Sequence, residues 1–169
     1  MCPSDDGLSS VPDDLPPVFI DRTLALTRKA AIKGRDYWFG LRGNRIMPAR
    51  LEISPRDMRE FLPHVGLVER VALPEGGIGY AMRLAGGRIE EIFGPLTGQP
   101  LDVVLPPETA VRWRKVFDEV IATQTPLAVS GRVAYASLRH LKYELFIAPL
   151  DLDGKPDMLF GVLDIWPVT

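Results

Sequence analysis

Residues 80–98 read Tyr-Ala-Met-Arg-Leu-Ala-Gly-Gly-Arg-Ile-Glu-Glu-Ile-Phe-Gly-Pro-Leu-Thr-Gly. The first part has the composition of a strand, and it runs into the pair Gly86-Gly87. Ile89 and Phe93 then share one face of a short helix, which Gly94 ends. A short helix held between glycines directly after a strand is typical of a small sensor or interaction domain rather than of an enzyme.

The length and composition are those of one globular domain with a tail. The chain has 169 residues and a net charge of −2, from 20 basic and 22 acidic residues. A strongly basic face is needed for broad affinity to phosphate backbones, so we do not expect a nucleic-acid partner. No apolar run is long enough to span a bilayer, so we expect no membrane segment.

Residues 1–17 are predicted to be a disordered tail, because they contain four Asp, four Pro and little apolar surface. They lack the basic start and apolar core of a secretion signal, so export is not expected. Cys2 is the only cysteine, which excludes a disulfide within the chain. These features predict a cytoplasmic location.

Residues 18–48 are predicted to be an N-terminal helical region. The helix is expected to begin near Ile20 or Asp21, whose carboxylate could cap the first turn, and to end at Gly43-Asn44. Gly34 is expected to weaken it. Its apolar face, at helical or heptad spacing, includes Leu24, Ala31, Trp38 and Leu41.

The rest of the chain carries further strand and helix signals. The strongest helical pattern runs from Pro106 to about Thr123, and Asp153-Gly154 predicts a tight hairpin turn. This order of elements predicts an α+β fold with an antiparallel sheet. The predicted strands lie near residues 64–72, 78–84, 127–136, 141–150 and 157–166.

In this order of elements the chain resembles a PAS domain, a five-stranded antiparallel sheet with helices on one face. The resemblance runs through residues 80–86, the short helix and Leu96-Thr97-Gly98, and it covers roughly residues 30–166. It implies a PAS-like domain over residues 49–169. The chain is also similar to a bacterial PAS family with an N-terminal helical extension, through Trp38, Arg42, Met47-Pro48-Ala49-Arg50 and Leu62-Pro63. Gly87 departs from that family, whose members more often have a polar residue there.

Few residues offer catalytic or metal chemistry. Cys2 lies in the predicted tail, so neither a Cys-His pair nor the cysteinyl-flavin chemistry of LOV domains is expected. His64 and His140 are interpreted as surface or capping residues, although the resemblance leaves haem ligation open, and non-covalent flavin binding is likewise left open. Glu90-Glu91 diverge by about 100° on a helix, so they do not form a catalytic pair. We predict no metal site and no enzymatic activity.

Six aromatic residues are expected around one sheet face, either as plain core or as the wall of a small apolar cavity. PAS domains often contain such a cavity. Arg83 would be a polar anchor for an anionic ligand if it pointed inward, because a buried Arg needs an anionic partner. The six aromatic candidates are Tyr80, Trp113, Phe117, Tyr143, Phe146 and Trp166.

The N-terminal helix is too apolar to remain free, so it must pack on its own sheet or on a second copy. The PAS resemblance favours a homodimer through Leu24, Ala31, Trp38 and Leu41. We therefore expect a stand-alone sensory or protein-interaction module that binds a small ligand or partner and signals to a separate output protein. The alternatives are a carrier with a permanently bound apolar or anionic ligand and, third, an enzyme.

Overall fold

A computed structural model describes residues 15–134 and 136–168. Short 3-10 turns precede β2 and β5. Among these residues no helix is both long and apolar enough to cross a membrane. In chain order the elements are β1 (Val18–Asp21), α1 (Lys29–Arg42), β2 (Val65–Ala72), β3 (Ile78–Ala85), α2 (Gly87–Phe93), α3 (Leu101–Val104), α4 (Pro107–Thr123), β4 (Leu127–Arg132), β5 (Leu141–Leu152) and β6 (Lys155–Pro167).

The strands form one antiparallel sheet in the order β1-β4-β5-β6-β2-β3. The predicted α+β class and the antiparallel sheet are confirmed. The long hairpin β5–β6 forms its centre, and Asp153 and Gly154 at its tip have φ angles of 54° and 88°. Those positive φ angles are what a tight hairpin turn requires, which explains the Asp-Gly pair.

The sixth strand, β1, corrects the prediction that a helix begins near Ile20. Residues 18–21 pair with the edge of β4 instead, with Phe19 opposite Ser130. The Asp21 carboxylate accepts hydrogen bonds from the amides of Thr23 and Ala25, which closes a turn rather than capping a helix. Leu24 follows with φ 60°, which an α-helix cannot contain, so α1 begins only at Lys29. Residues 1–14 of the predicted tail lie outside the described residues.

The two faces of the sheet support two separate hydrophobic clusters. Along β5, Tyr143, Leu145 and Ile147 point towards α2–α4, because alternate residues share a face. Phe146 and Ala148 point to the opposite face, where α1 packs. The expectation of helices on one face therefore holds for α2–α4, and α1 covers the other face.

The N-terminal helix packs on its own sheet. Trp38 is fully buried, and its indole Nε1 donates a hydrogen bond to the Pro149 carbonyl at 2.9 Å. A Cβ atom added at Gly34 would lie 2.3 Å from Val162 Cγ2, so the glycine permits close contact between helix and strand. Gly34 therefore has a packing role beyond the local weakening that the sequence predicted.

The glycines of residues 80–98 are explained by close packing and turns. A Cβ atom at Gly86 would lie 2.3 Å from the Pro63 carbonyl oxygen, so a side chain there would collide with backbone. Gly94 ends α2 with φ 86°. The Glu90 carboxylate accepts hydrogen bonds from the amides of Leu96 and Thr97, which lower its pKa and fix the following loop. Glu90 is thus a structural residue.

Candidate functional site

A cavity of about 170 Å³ lies between the sheet and helices α2–α4. Its wall is mainly apolar because it is a gap within the larger hydrophobic cluster of the domain. An engineered cavity of about 150 Å³ admits benzene, so this one has room for a single ring or a short hydrocarbon chain. The apolar wall includes Met82, Ile89, Phe93, Leu96, Leu145 and Ile147.

Two glycines leave the floor of this cavity without side chains. Gly66 on β2 and Gly161 on β6 are paired across the sheet, and both line the cavity. A Cβ atom at Gly66 would lie 3.5 Å from Met82 Cε, on the cavity side of the strand. Neither glycine is among the residues that the sequence predicts to line a pocket. A glycine inside an otherwise apolar strand is a signal of this kind of open space.

The polar groups of the wall include Tyr143 and Arg112. Tyr143 is only 6% exposed, and its hydroxyl has no hydrogen-bond partner among the described residues. Burial raises the pKa of this phenol to about 12, while the positive charge of Arg112 opposes the rise. Arg112 donates to the Pro16 carbonyl at 2.5 Å and has no carboxylate partner in the described part of the chain. Thr109 and Arg132 are further polar residues of the wall.

Three of the predicted pocket aromatics line this cavity. The Trp113 ring lies 6.0 Å from Phe117 and 5.7 Å from Tyr143 between ring centroids. Tyr80 is buried in the same cluster but does not line the cavity, because its hydroxyl turns to Asp118 at 2.5 Å. Burial and this hydrogen bond raise the pKa of Tyr80.

Phe146 and Trp166 were predicted to join this pocket, and the structure corrects that placement. Both lie on the α1 face, because neighbouring residues of a strand point to opposite sides. Phe146 packs against Trp38, with ring centroids 6.3 Å apart. Trp166 lies beneath the Arg28 guanidinium, 4.1 Å from the ring centroid, and borders a separate depression on that face.

Arg83 is also corrected, because it faces solvent rather than the cavity. The pairing of β2 with β3 shifts by one residue at this point, and Arg83 is the extra residue of the resulting bulge. Its Nε pairs with the Glu69 carboxylate at 2.5 Å. The expected anchor for an anionic ligand is therefore absent at Arg83.

Neither histidine lines the cavity. His64 Nδ1 lies 3.0 Å from the Leu163 carbonyl oxygen, and His140 is exposed in the turn before β5. The described residues therefore do not fit a haem held through histidine in this cavity. A flavin ring system also exceeds the space of one ring as the structure stands.

On the opposite side of β5, Glu144 holds the start of α1. Its carboxylate accepts hydrogen bonds from the amides of Thr27 at 3.0 Å and Arg28 at 2.7 Å, and from the Thr27 hydroxyl at 3.0 Å. Glu144 is 7% exposed and holds the two residues that directly precede Lys29, the first residue of α1; this contact is called the α1 cap below. Since Tyr143 and Leu145 line the cavity, this cap is joined directly to two cavity residues.

The packing of α1 on the sheet buries two of the four predicted dimer contacts and leaves the other two partly exposed. Ala31 and Trp38 are fully buried against the sheet of their own chain, which corrects their assignment to a surface. Leu24 and Leu41 are partly exposed at the margin of the same cluster. Only these two remain accessible to a second copy.

Residues 26–164 match the family model described as PAS domain. The chain belongs to the PAS domain family. Strands β2–β6 and helices α2–α4 form the five-stranded sheet and helical layer expected of a PAS domain, and β1 and α1 are additions to it. PAS domains are sensory or interaction modules, and that general description applies to this chain.

This PAS domain is also similar to a solved structure described as "Structure of an RNA-binding Light-Oxygen-Voltage Receptor". The sequences are 12% identical and the TM-score is 0.49. The match covers 88% of this chain but only 38% of that one, so this chain spans little more than a third of its length. No curated protein has a sequence that matches this one.

Proposed function

We propose that this PAS domain is a sensor that binds a small, mainly apolar ligand in the cavity and signals through α1. The observation that carries the proposal is the order of residues on β5. Tyr143 and Leu145 line the cavity, while Glu144 between them caps α1 on the opposite face. The two cavity residues and the residue that holds α1 are thus consecutive in the sequence.

The physical basis is the rigidity of a packed strand. A ligand that displaces Tyr143 or Leu145 must move the backbone between them, because packed interiors transmit small shifts. The Glu144 carboxylate would then move relative to the amides of Thr27 and Arg28, whose hydrogen bonds depend strongly on geometry. The equilibrium between a capped and an uncapped α1 would shift by the difference in ligand affinity for the two states.

Hydrogen exchange on the full chain tests this coupling, with toluene as a probe that fills the cavity. We expect saturating toluene to change the exchange rates of the Thr27 and Arg28 amides, as well as those of α4. Substituting Glu144→Ala removes both acceptor oxygens, so it should abolish the response at the two amides and leave the response of α4. Protection of α4 with no change at α1 would contradict the sensor and favour the carrier alternative.

We further propose that the sensor acts as a homodimer through the outward side of α1 and passes its signal to a separate output protein. Deleting the helix would expose the site of Trp38 and is a poor test. Gly40 lies on α1 with nothing within 4 Å of an added Cβ, so Gly40→Arg adds bulk and charge only at the surface. Native mass spectrometry should show a dimer that Gly40→Arg dissociates, while Gly87→Arg on the opposite face leaves it intact. A monomeric wild-type chain would refute the dimer.

A further inference from the structure

The polar side chains that line the cavity are rich in donors: the Tyr143 hydroxyl and the guanidinium groups of Arg112 and Arg132, beside the Thr109 hydroxyl. The Tyr143 hydroxyl lies over Gly131, whose added Cβ would be 3.3 Å away, and the described part of the chain offers it no partner. A phenol that lines a cavity can donate its O–H to a ligand acceptor. The phenol is protonated at neutral pH, as tyrosine ordinarily is, and is therefore a donor.

Arg112 adds a positive charge without a described counter-ion. Arg114 on the same helix pairs with Asp102 at 2.6 Å, whereas Arg112 donates to the neutral Pro16 carbonyl. Arg112 also lines the cavity, and its charge acts on Tyr143. The guanidinium has further N–H donors beyond the one that Pro16 occupies.

We propose that the ligand is a small amphipathic monoanion, with one aromatic ring or short hydrocarbon chain and a single carboxylate. The ring or chain fills the apolar part of the cavity, and the carboxylate accepts from the Tyr143 hydroxyl and Arg112. This inference rests on the proposed function, because it assigns the chemistry of the ligand that the sensor detects. A cation would be repelled by Arg112, and a ligand without an acceptor would leave Tyr143 unpaired.

The volume of about 170 Å³ limits the apolar part to roughly one ring, so phenylacetate is a suitable probe. The neutral alcohol 2-phenylethanol and the hydrocarbon toluene are controls of similar shape. Calorimetric titration of the full chain with all three probes separates the contribution of the charge from that of the cavity.

We expect phenylacetate to bind at least about tenfold more tightly than 2-phenylethanol, because hydrogen bonds to charged groups are the stronger kind. Tyr143→Phe and Arg112→Gln should each remove most of this preference. Arg114→Gln is the matched charge control on the same helix, and it should leave the preference unchanged. Tyr143→Phe should not weaken toluene binding, which shows that the cavity itself survives.

Two results overturn the inference in different ways. If toluene binds but phenylacetate binds no more tightly than the alcohol, the ligand class is wrong and the cavity sensor stands. If none of the three probes binds the wild-type chain, the proposed ligand site fails and the class assignment fails with it.

Discussion

Replacing Glu144 with Gln should weaken the attachment of the start of α1 to the sheet. The carboxylate of Glu144 accepts from two amides and a hydroxyl, at distances between 2.7 and 3.1 Å. Glutamine keeps the shape but offers one acceptor oxygen, and its NH₂ group cannot accept from the Thr27 or Arg28 amide. The glutamine oxygen can still accept from both amides at the Oε1 position, but the Thr27 hydroxyl loses its acceptor at Oε2 and every bond loses the negative charge.

The magnitude follows from the lost negative charge. Hydrogen bonds to charged groups contribute about 1.5–3 kcal/mol each, and those between neutral groups about 0.5–1.5 kcal/mol. We therefore expect the free energy of unfolding to fall by about 1–2 kcal/mol. Urea denaturation measures the loss, and hydrogen exchange should locate it in α1. Glu60→Gln is the control, because Glu60 is an exposed partner of Lys33. If both variants unfold at the same urea concentration, Glu144 does not hold the helix.

Three further predictions concern the cavity and the α1 contact. Gly34→Ala should destabilise the chain by about 1–3 kcal/mol through the clash with Val162, whereas Gly40→Ala in the same helix should stabilise it by about 1 kcal/mol. Thermal unfolding checks both, and a shift of the same sign would contradict the packing. Gly66→Ala should weaken toluene binding in a titration without loss of stability, since its Cβ fits at 3.5 Å from the nearest atom; an unchanged affinity would be inconsistent with the cavity floor. Phenylacetate affinity should stay constant from about pH 6 to about pH 10, because the Tyr143 phenol remains a protonated donor until about pH 12. A loss centred near the ordinary tyrosine pKa of about 10 would contradict the raised pKa of the Tyr143 phenol.

Local chemistry made much of the fold predictable. The long helix was visible as apolar residues at helical spacing, and Asp153-Gly154 indicated the central hairpin. The stretch 80–98 indicated the strand, the short helix and its glycine ends. Each of these signals is contained within a few residues of the chain.

The predicted start of the N-terminal helix was wrong because Asp21 can form either of two local structures. Asp21 is a good helix cap, but it also closes a turn with the amide of Thr23, and the turn is formed because β1 pairs with β4. That pairing partner is more than 100 residues away in sequence, so no local pattern predicts it.

The candidate site was predicted less well, because aromatic composition does not say which sheet face a residue occupies. Tyr143 and Phe146 are three positions apart on one strand, so regular alternation already prevents them from sharing a face. The bulge that turns Arg83 outward depends on pairing with β2 and had no local signal. No local pattern marks Arg112, because charged residues are common on the polar face of an amphipathic helix.

The most direct test of the cavity and its coupling to α1 is a nuclear magnetic resonance titration of the full chain with phenylacetate. The methyl groups of Ile89 and Ile147 report on the cavity, and the amides of Thr27 and Arg28 report on the cap. We predict that both sets of signals shift with one common dissociation constant. If the methyl signals do not respond to a high concentration of phenylacetate, this cavity is not the sensory site, whether or not the amide signals shift.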